Sequence, residues 1–212
     1  MALPYEVTGR TEQKQRTRTA LVAAARQLVA SGLAPTVELA AAAAGISRTA
    51  AYRYFPNQRA LLAAAHPETG VLSLLPPDPP EDAAARLQAV VGTFIRLIVE
   101  TEAQQRTMLR LSLEADPVER EALPLRQGRA IGWIAEALSP LRGRLSDEAI
   151  HQLVLAIRSA TGVEALVWLT DVAGLTRDQA VALMSWSAQA LLHAALTSGP
   201  PGTSGVQMTK RR

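Results

Sequence analysis

Residues 36–62 read TVELAAAAAGISRTAAYRYFPNQRALL, and this stretch decides the fold of the N-terminal part of the chain. Thr36 is suited to cap an alanine-rich helix, because its hydroxyl can accept a free backbone N–H of the first turn. Gly45 ends that helix, since glycine adopts the left-handed backbone of a sharp turn without strain. Ser47 then caps a second helix over residues 48–55. The order predicts a helix-turn-helix with a third helix docked behind it.

The second helix of this motif carries side chains that are suited to DNA. Arginine can pair bidentately with guanine, and threonine or alanine can contact the methyl group of thymine. Hydroxyl groups and helix N-termini are suited to phosphate oxygens. Tyr52 and Tyr54 have the alternative of being core or surface aromatics, and Phe55 is expected in the core. The candidate DNA-binding residues are Thr36, Ser47, Arg48, Thr49, Ala50, Tyr52, Arg53 and Tyr54.

Residues 14–65 resemble the DNA-binding domain of the TetR family of transcriptional regulators. Two positions depart from the usual pattern of the family: Ala51 stands where a larger apolar residue is usual, and Gln58 replaces a frequent lysine. The resemblance implies a DNA-binding domain followed by a ligand-binding and dimerisation domain. It is carried by Ser31-Gly32, Thr36, Leu39-Ala40, Ala44-Gly45-Ile46-Ser47, Tyr52-Arg53-Tyr54-Phe55-Pro56-Asn57 and Ala60-Leu61-Leu62.

Every segment with clear apolar periodicity is helical, which predicts an all-α protein. We expect an N-terminal helix-turn-helix three-helix domain over residues 10–56, a larger helical ligand-binding and dimerisation domain over residues 57–197, and a disordered tail over residues 198–212. Thr176 and Gln179 form a capping box for the last helix. Outside the helix-turn-helix, helices are expected at residues 12–31, 57–66, 81–101, 104–114, 116–138 with an interruption at Pro124, 147–170 and 177–196.

Five prolines in residues 67–80 predict a loop, and the sequence leaves open whether this loop is ordered. Its apolar side chains are expected to dock on the helical body. They are Val71, Leu72, Leu74 and Leu75.

The charge of the chain is unevenly distributed. Eight lysines and arginines against three glutamates give residues 1–65 a net charge of +5, whereas the whole chain carries +3. A basic end on a slightly acidic body indicates a protein that binds nucleic acid through that end. The basic residues around the start of the first helix are expected to contact the DNA backbone, with a solvated surface as the alternative. They are Arg10, Lys14, Arg16 and Arg18.

Enzymes and metalloproteins are disfavoured by the sequence. Cysteine is absent, and His66, His151 and His193 are too scattered to form a metal pair. No Gly-rich phosphate loop, nucleophile elbow or zinc-protease motif occurs, so we expect no catalytic residue, cofactor or metal. The N-terminus lacks the apolar centre of a secretory signal, and no membrane-spanning segment is expected, which favours the cytoplasm.

The central helices are expected to enclose a pocket for a small-molecule effector, with the alternative that their apolar residues form only the core. Small residues at Ala156, Ser159 and Ala160, and at Ser187, Ala190 and Ala194, would let the two last helices approach a partner closely. These helices therefore predict a homodimer interface of four helices, which the resemblance also implies. The tentative effector-binding residues are Phe94, Met108, Leu111, Trp133, Arg158 and Trp168.

The expected function is that of a ligand-responsive transcriptional repressor that binds a near-palindromic operator as a dimer. One alternative is a helical small-molecule-binding protein with a vestigial DNA-binding domain, which the departures at Ala51 and Gln58 would suit. Another is an activator or a nucleoid-type binder. The effector, the operator, the regulated genes and the sign of regulation are left open.

Overall fold

A computed structural model describes residues 5–66, 71–114 and 128–199, with side chains described from residue 11 onward. No β-strand occurs within these ranges, so the all-α prediction is confirmed for them. The helices are α1 (Tyr5–Ala30), α2 (Val37–Ala43), α3 (Arg48–Tyr54), α4 (Gln58–Ala65), α5 (Ala83–Glu100), α6 (Glu102–Glu114), α7 (Arg129–Ala137), α8 (Asp147–Thr161), α9 (Val163–Val167) and α10 (Arg177–Ser198), with a 3₁₀ turn at Ser139–Leu141 and a π turn at Trp168–Val172.

The chain forms two compact units. The N-terminal unit comprises Met1–Gly70 and Thr101–Gln127, and the C-terminal unit comprises Val71–Glu100 and Gly128–Arg212. The functional division at residues 10–56, 57–197 and 198–212 stays a prediction, because residues 115–127 and 200–212 lie outside the described ranges.

The core of the N-terminal unit is built largely from small residues. Five of the ten buried residues in its main cluster are alanines, so α2 and α3 can approach α1 and α4 closely. A second cluster joins α1, α4 and α6 through Val29, Leu62 and Met108, with Leu111 packed against it. The main cluster consists of Leu21, Val22, Ala25, Val37, Ala40, Ala41, Ala51, Phe55, Leu61 and Ala65.

Side-chain caps fix the starts of the short helices. The Thr36 hydroxyl accepts the N–H of Leu39 at 3.2 Å, and the Ser47 hydroxyl accepts the N–H of Ala50 at 3.3 Å. Both predicted caps are therefore confirmed. Gly45 has a φ of +66°, the left-handed conformation that the predicted turn requires.

The C-terminal unit is built from α5, α7, α8, α9 and α10. The predicted capping box of α10 is confirmed, since Thr176 accepts the N–H of Gln179 at 3.2 Å and donates its own N–H to the Gln179 side chain at 2.9 Å. The large fully buried side chains of this unit are Leu87, Phe94, Ile95, Ile98, Ile134, Leu138, Leu153, Ile157, Leu166 and Met184.

Three sequence predictions differ from the structure. The first helix begins at Tyr5, seven positions before the predicted start at residue 12. The helix predicted over residues 147–170 is divided at Gly162, whose backbone is extended (φ −82°, ψ 174°). Leu72 is 94 % exposed and does not dock, whereas Val71, Leu74 and Leu75 are half-buried. The helix predicted at 116–127 and the tail beyond residue 199 lie outside the described residues.

Two stretches, Asp147–Val172 and Arg177–Ser198, are long and apolar enough to cross a bilayer by length and composition alone. This finding does not overturn the expectation that no segment spans a membrane. Core helices of proteins without a membrane pass the same test, so this finding is only a weak indication.

Candidate nucleic-acid interface

The caps and the buried residues of α3 hold this helix so that most of the candidate DNA-binding residues are exposed to solvent. Ala51 is fully buried and Phe55 nearly so, and these two residues hold α3 against the core of the N-terminal unit. Ala50 and Tyr54 are half-buried, and Tyr54 packs against the same core. The exposed candidates are Thr36, Ser47, Arg48, Thr49, Tyr52 and Arg53.

A group of three side chains connects α2 to α3 at this surface. The Tyr52 hydroxyl donates to Glu38 Oε1 at 2.5 Å, and Arg48 Nη2 lies 3.1 Å from the same oxygen. The Arg48 guanidinium also lies over the Tyr52 ring, 5.7 Å from its centroid. We call Glu38, Arg48 and Tyr52 the Glu38 network. Two predicted DNA-binding residues thus share one carboxylate.

Hydrogen bonding within the Glu38 network shifts two pKa values. The Tyr52 hydroxyl is the main cause that lowers the pKa of Glu38, and Arg48 adds a smaller effect in the same direction. The bond to Glu38 is the main cause that raises the pKa of Tyr52. At neutral pH the carboxylate is therefore charged and the phenol keeps its proton.

Gln58, one of the two departures from the family pattern, has a structural partner. Its side-chain amide donates to the backbone oxygens of Ala34 at 3.3 Å and Pro35 at 3.1 Å. These carbonyls belong to the loop that leads into α2. Gln58 thereby ties the start of α4 to the entry of the helix-turn-helix.

The basic residues near the N-terminus lie on α1. Lys14, Arg16 and Arg18 are all exposed, and the Arg18 guanidinium lies 5.5 Å from the centroid of the Phe55 ring. Arg18 is thus engaged with the core residue at the end of α3. The side chain of Arg10 lies outside the described side chains.

The structure brings together three of the six tentative effector-binding residues. In the C-terminal unit the rings of Phe94 and Trp133 meet edge to face at 6.0 Å, and the Arg158 guanidinium lies 5.6 Å from the Phe94 centroid. Arg158 also pairs with Glu164 at 3.2 Å.

The other three tentative residues lie elsewhere. Met108 and Leu111 belong to the N-terminal unit, where they pack with Val29 and Leu62. Trp168 is 58 % exposed. An apolar pattern in a sequence shows that a residue is suited to burial, but it does not show which neighbours that residue meets.

The sequence analysis did not identify three features that bear on function. Glu38 is an acid inside the DNA-binding stretch, which was a usable signal. Trp186 on α10 is 66 % exposed, whereas its apolar side chain would lead one to expect burial. A groove of about 510 Å³ between α7 and α8 has Arg142 and His151 in its lining. Within the described ranges, no cluster of three or more histidines and carboxylates could hold a metal ion.

Comparisons with known proteins agree with this geometry. Residues 20–65 match the family of bacterial regulatory proteins called the tetR family. The fold is similar to the crystal structure of a TetR transcriptional regulator from Rhodococcus sp. RHA1, with a TM-score of 0.54 and 17 % sequence identity over 85 % of this chain and 98 % of that one. A comparison with curated protein sequences found no match. Residues 20–65 therefore carry a helix-turn-helix domain of the tetR family, and the fold of the chain is similar to that of a TetR transcriptional regulator.

Proposed function

We propose that the chain is a ligand-responsive repressor of the cytoplasm that binds a near-palindromic operator as a homodimer. The observation that carries this proposal is the exposure of Arg48, Thr49 and Arg53 on one short helix that is fixed by a capped turn in a basic domain. In a dimer, two copies of α3 would enter successive major grooves. Thr36, Ser47, Tyr52 and Tyr54 would position them on phosphates, and Ala50 would contact a base.

The surface of the last helices supports the homodimer. Trp186 and Leu183 are exposed on α10, and Leu155 and Trp168 are exposed on the stretch from α8 to the π turn. Large apolar groups gathered on two neighbouring helices are typical of an interaction surface. A second copy that presents the same two helices would cover them in a four-helix arrangement. Ala190 lies one helical turn after Trp186 and is half-buried, and its small side chain would allow a partner helix to approach closely.

The cluster of Phe94, Trp133 and Arg158 is the proposed centre of the effector site. Aromatic faces beside a guanidinium would suit a ligand that combines an apolar body with a negative or hydrogen-bonding group. An effector that binds better to the DNA-incompetent arrangement would release the operator, because only differential affinity shifts such an equilibrium. Met108, Leu111 and Trp168 stay predictions.

Selection of genomic fragments by the purified chain tests the proposal. We expect an enriched sequence with two inverted half-sites about one helical turn, or a multiple of it, apart. The matched control is the triple variant Arg48→Ala, Thr49→Ala, Arg53→Ala, which should enrich no sequence. A reporter gene behind the selected operator then gives the sign of regulation.

Two outcomes would contradict the proposal. A chain that enriches no fragment and yet binds small molecules would favour the vestigial DNA-binding domain. A single half-site without symmetry would contradict the dimeric mode of binding. Ala51 and Gln58 gave the vestigial alternative its support, and both have defined places in the folded unit, as a buried core residue and as a bond to the α2 entry loop.

A further inference from the structure

One carboxylate lies in a stretch of the DNA-binding domain that is otherwise free of acids. Between residues 13 and 66 the sequence contains a single acidic residue, Glu38, among the basic residues of the DNA-binding domain. A negative charge here opposes the approach of phosphates. Its presence beside α3 therefore suggests a role that offsets this cost to affinity.

The contacts of Glu38 are with the groups that DNA would use. Its Oε1 atom accepts from the Tyr52 hydroxyl and pairs with Arg48, and the guanidinium of Arg48 stacks on the Tyr52 ring. The Glu38 network thus holds one predicted base-reading group and one predicted phosphate-binding group together. A phosphate must compete with an internal carboxylate for both of them.

The network is accessible enough to be exchanged. The side chain of Arg48 is 73 % exposed and that of Glu38 is 37 % exposed. Ion pairs at this exposure are weak, because water screens them. Their rearrangement on DNA is therefore feasible. When Arg48 is released, the loss of the ion pair itself costs little free energy. The larger cost is the repulsion between the unpaired Glu38 carboxylate and the phosphates.

We propose that Glu38 is a specificity-determining residue. Its carboxylate keeps Arg48 and Tyr52 from binding the phosphates of random DNA. It releases them only to a sequence whose bases bind Arg48. An operator offsets the repulsion through base contacts, whereas random DNA offers none. Glu38 thus favours the operator by making the binding of random DNA less favourable. This inference rests on the proposed function, in which α3 enters the major groove.

The variant Glu38→Gln isolates the charge. Glutamine keeps the size of the side chain and an oxygen that can accept from Tyr52, but it cannot repel phosphate. Binding is measured on the selected operator and on a random duplex of equal length. We expect affinity for random DNA to rise about 3- to 10-fold per dimer at low salt, and less at high salt, because the removed repulsion is screened. Operator affinity should change by less than about twofold, so the specificity ratio falls.

The matched control is Glu114→Gln. It removes the same charge from an exposed pair in the same unit, in which Arg110 Nη1 lies 3.0 Å from Glu114 Oε1, outside the helix-turn-helix. This variant should leave the specificity ratio unchanged. Three results for Glu38→Gln would overturn the inference: weaker operator binding alone, which would make Glu38 a reader of cytosine; equal tightening on both duplexes; or no change.

A measurement without DNA separates this inference from the proposed function. The ionisation of the tyrosines is followed by absorbance, with Tyr52→Phe used to identify the contribution of Tyr52. In Glu38→Ala the pKa of Tyr52 should fall toward its ordinary value, since its main cause of elevation is lost. An unchanged titration would overturn the Glu38 network itself. A wild-type chain that selects no operator would instead overturn the proposed function.

Discussion

Arg48 and Arg53 both extend from α3, but their surroundings differ. Arg48 is paired with Glu38, whereas Arg53 is exposed and has no ion-pair partner in the part of the chain that the structure describes. Arg53 is therefore the arginine that is immediately available to a base edge. Replacement by alanine should weaken operator binding by about 1–3 kcal/mol per half-site and relax the preference at one base pair.

Arg53→Lys is the matched control for this prediction. Lysine keeps the positive charge but loses the planar fork, so it should retain affinity for random DNA while operator affinity falls. Both variants are compared on the two duplexes by gel shift. If Arg53→Ala loses equal affinity on operator and random DNA, Arg53 contacts phosphate and not a base.

Gln58 also acts at the scale of a single residue. Its two hydrogen bonds to Ala34 and Pro35 join α4 to the loop before α2. Gln58→Ala should lower the free energy of unfolding by about 0.5–1.5 kcal/mol, the usual net contribution of such bonds. Denaturant unfolding measures the change. Gln58→Lys, which keeps a donor, is the control and should lose less stability; equal losses would show that the amide bonds contribute nothing.

At the scale of helices, the starts of α2, α3 and α10 were predictable because each depends on one capping side chain. Thr36, Ser47 and Thr176 all accept the backbone N–H that their sequence positions implied. Such caps act over three or four residues, so tertiary contacts need not be known. The same locality explains why the DNA-binding stretch was identified correctly as a helix-turn-helix.

The break at Gly162 could not be predicted on these grounds, because apolar periodicity continues through it. The Arg158–Glu164 pair lies over Gly162, where a Cβ would collide with both charged groups. Arg158 in turn lies on the Phe94 ring of α5, a contact distant in sequence. The exposure of Trp168 is a similar case, since it depends on which faces of α8, α9 and α10 meet. The cluster of Phe94, Trp133 and Arg158 was therefore only partly predictable.

The capping box of α10 gives a prediction at the same scale. Thr176→Ala removes the side-chain acceptor for the N–H of Gln179 and should lower the free energy of unfolding by about 0.5–2 kcal/mol. Thr197→Ala, near the other end of α10, serves as control, because its hydroxyl only bonds the His193 oxygen within the helix. Thermal unfolding compares the two. Equal effects would mean that the box does not stabilise α10.

For the whole molecule, the charge on α1 predicts a salt dependence. Lys14, Arg16 and Arg18 are exposed there, and of these only Arg18 also has its guanidinium near the Phe55 ring. The double variant Lys14→Ala, Arg16→Ala should reduce the slope of log affinity against log salt by about 0.9 for each lost phosphate contact, with base preference unchanged. Titrations at several salt concentrations measure it. An unchanged slope would place both side chains in solvent when DNA is bound.

In the proposed homodimer, the two copies meet through the exposed surface of the last two helices. Ala190→Arg should yield a folded monomer, since it would force a charge into a close helix contact. Analytical ultracentrifugation gives the mass, and circular dichroism checks that helicity is kept. Leu72→Arg is the control, because Leu72 is 94 % exposed in the loop before α5 and should leave the dimer intact. A stable Ala190→Arg dimer would place the interface elsewhere.

The alanine-rich core of the N-terminal unit also bears on engineering. Ala51 on α3 is fully buried in a cluster with residues of α1, α2 and α4, so a longer side chain there would have to displace these neighbours. The family pattern that this stretch resembles has a larger apolar residue at this position, so we expect a transplanted recognition helix to bring one. Such a graft would be pushed outward and would carry its base-reading groups out of register. New operator preferences are therefore best introduced one exposed position at a time, with Ala51 kept.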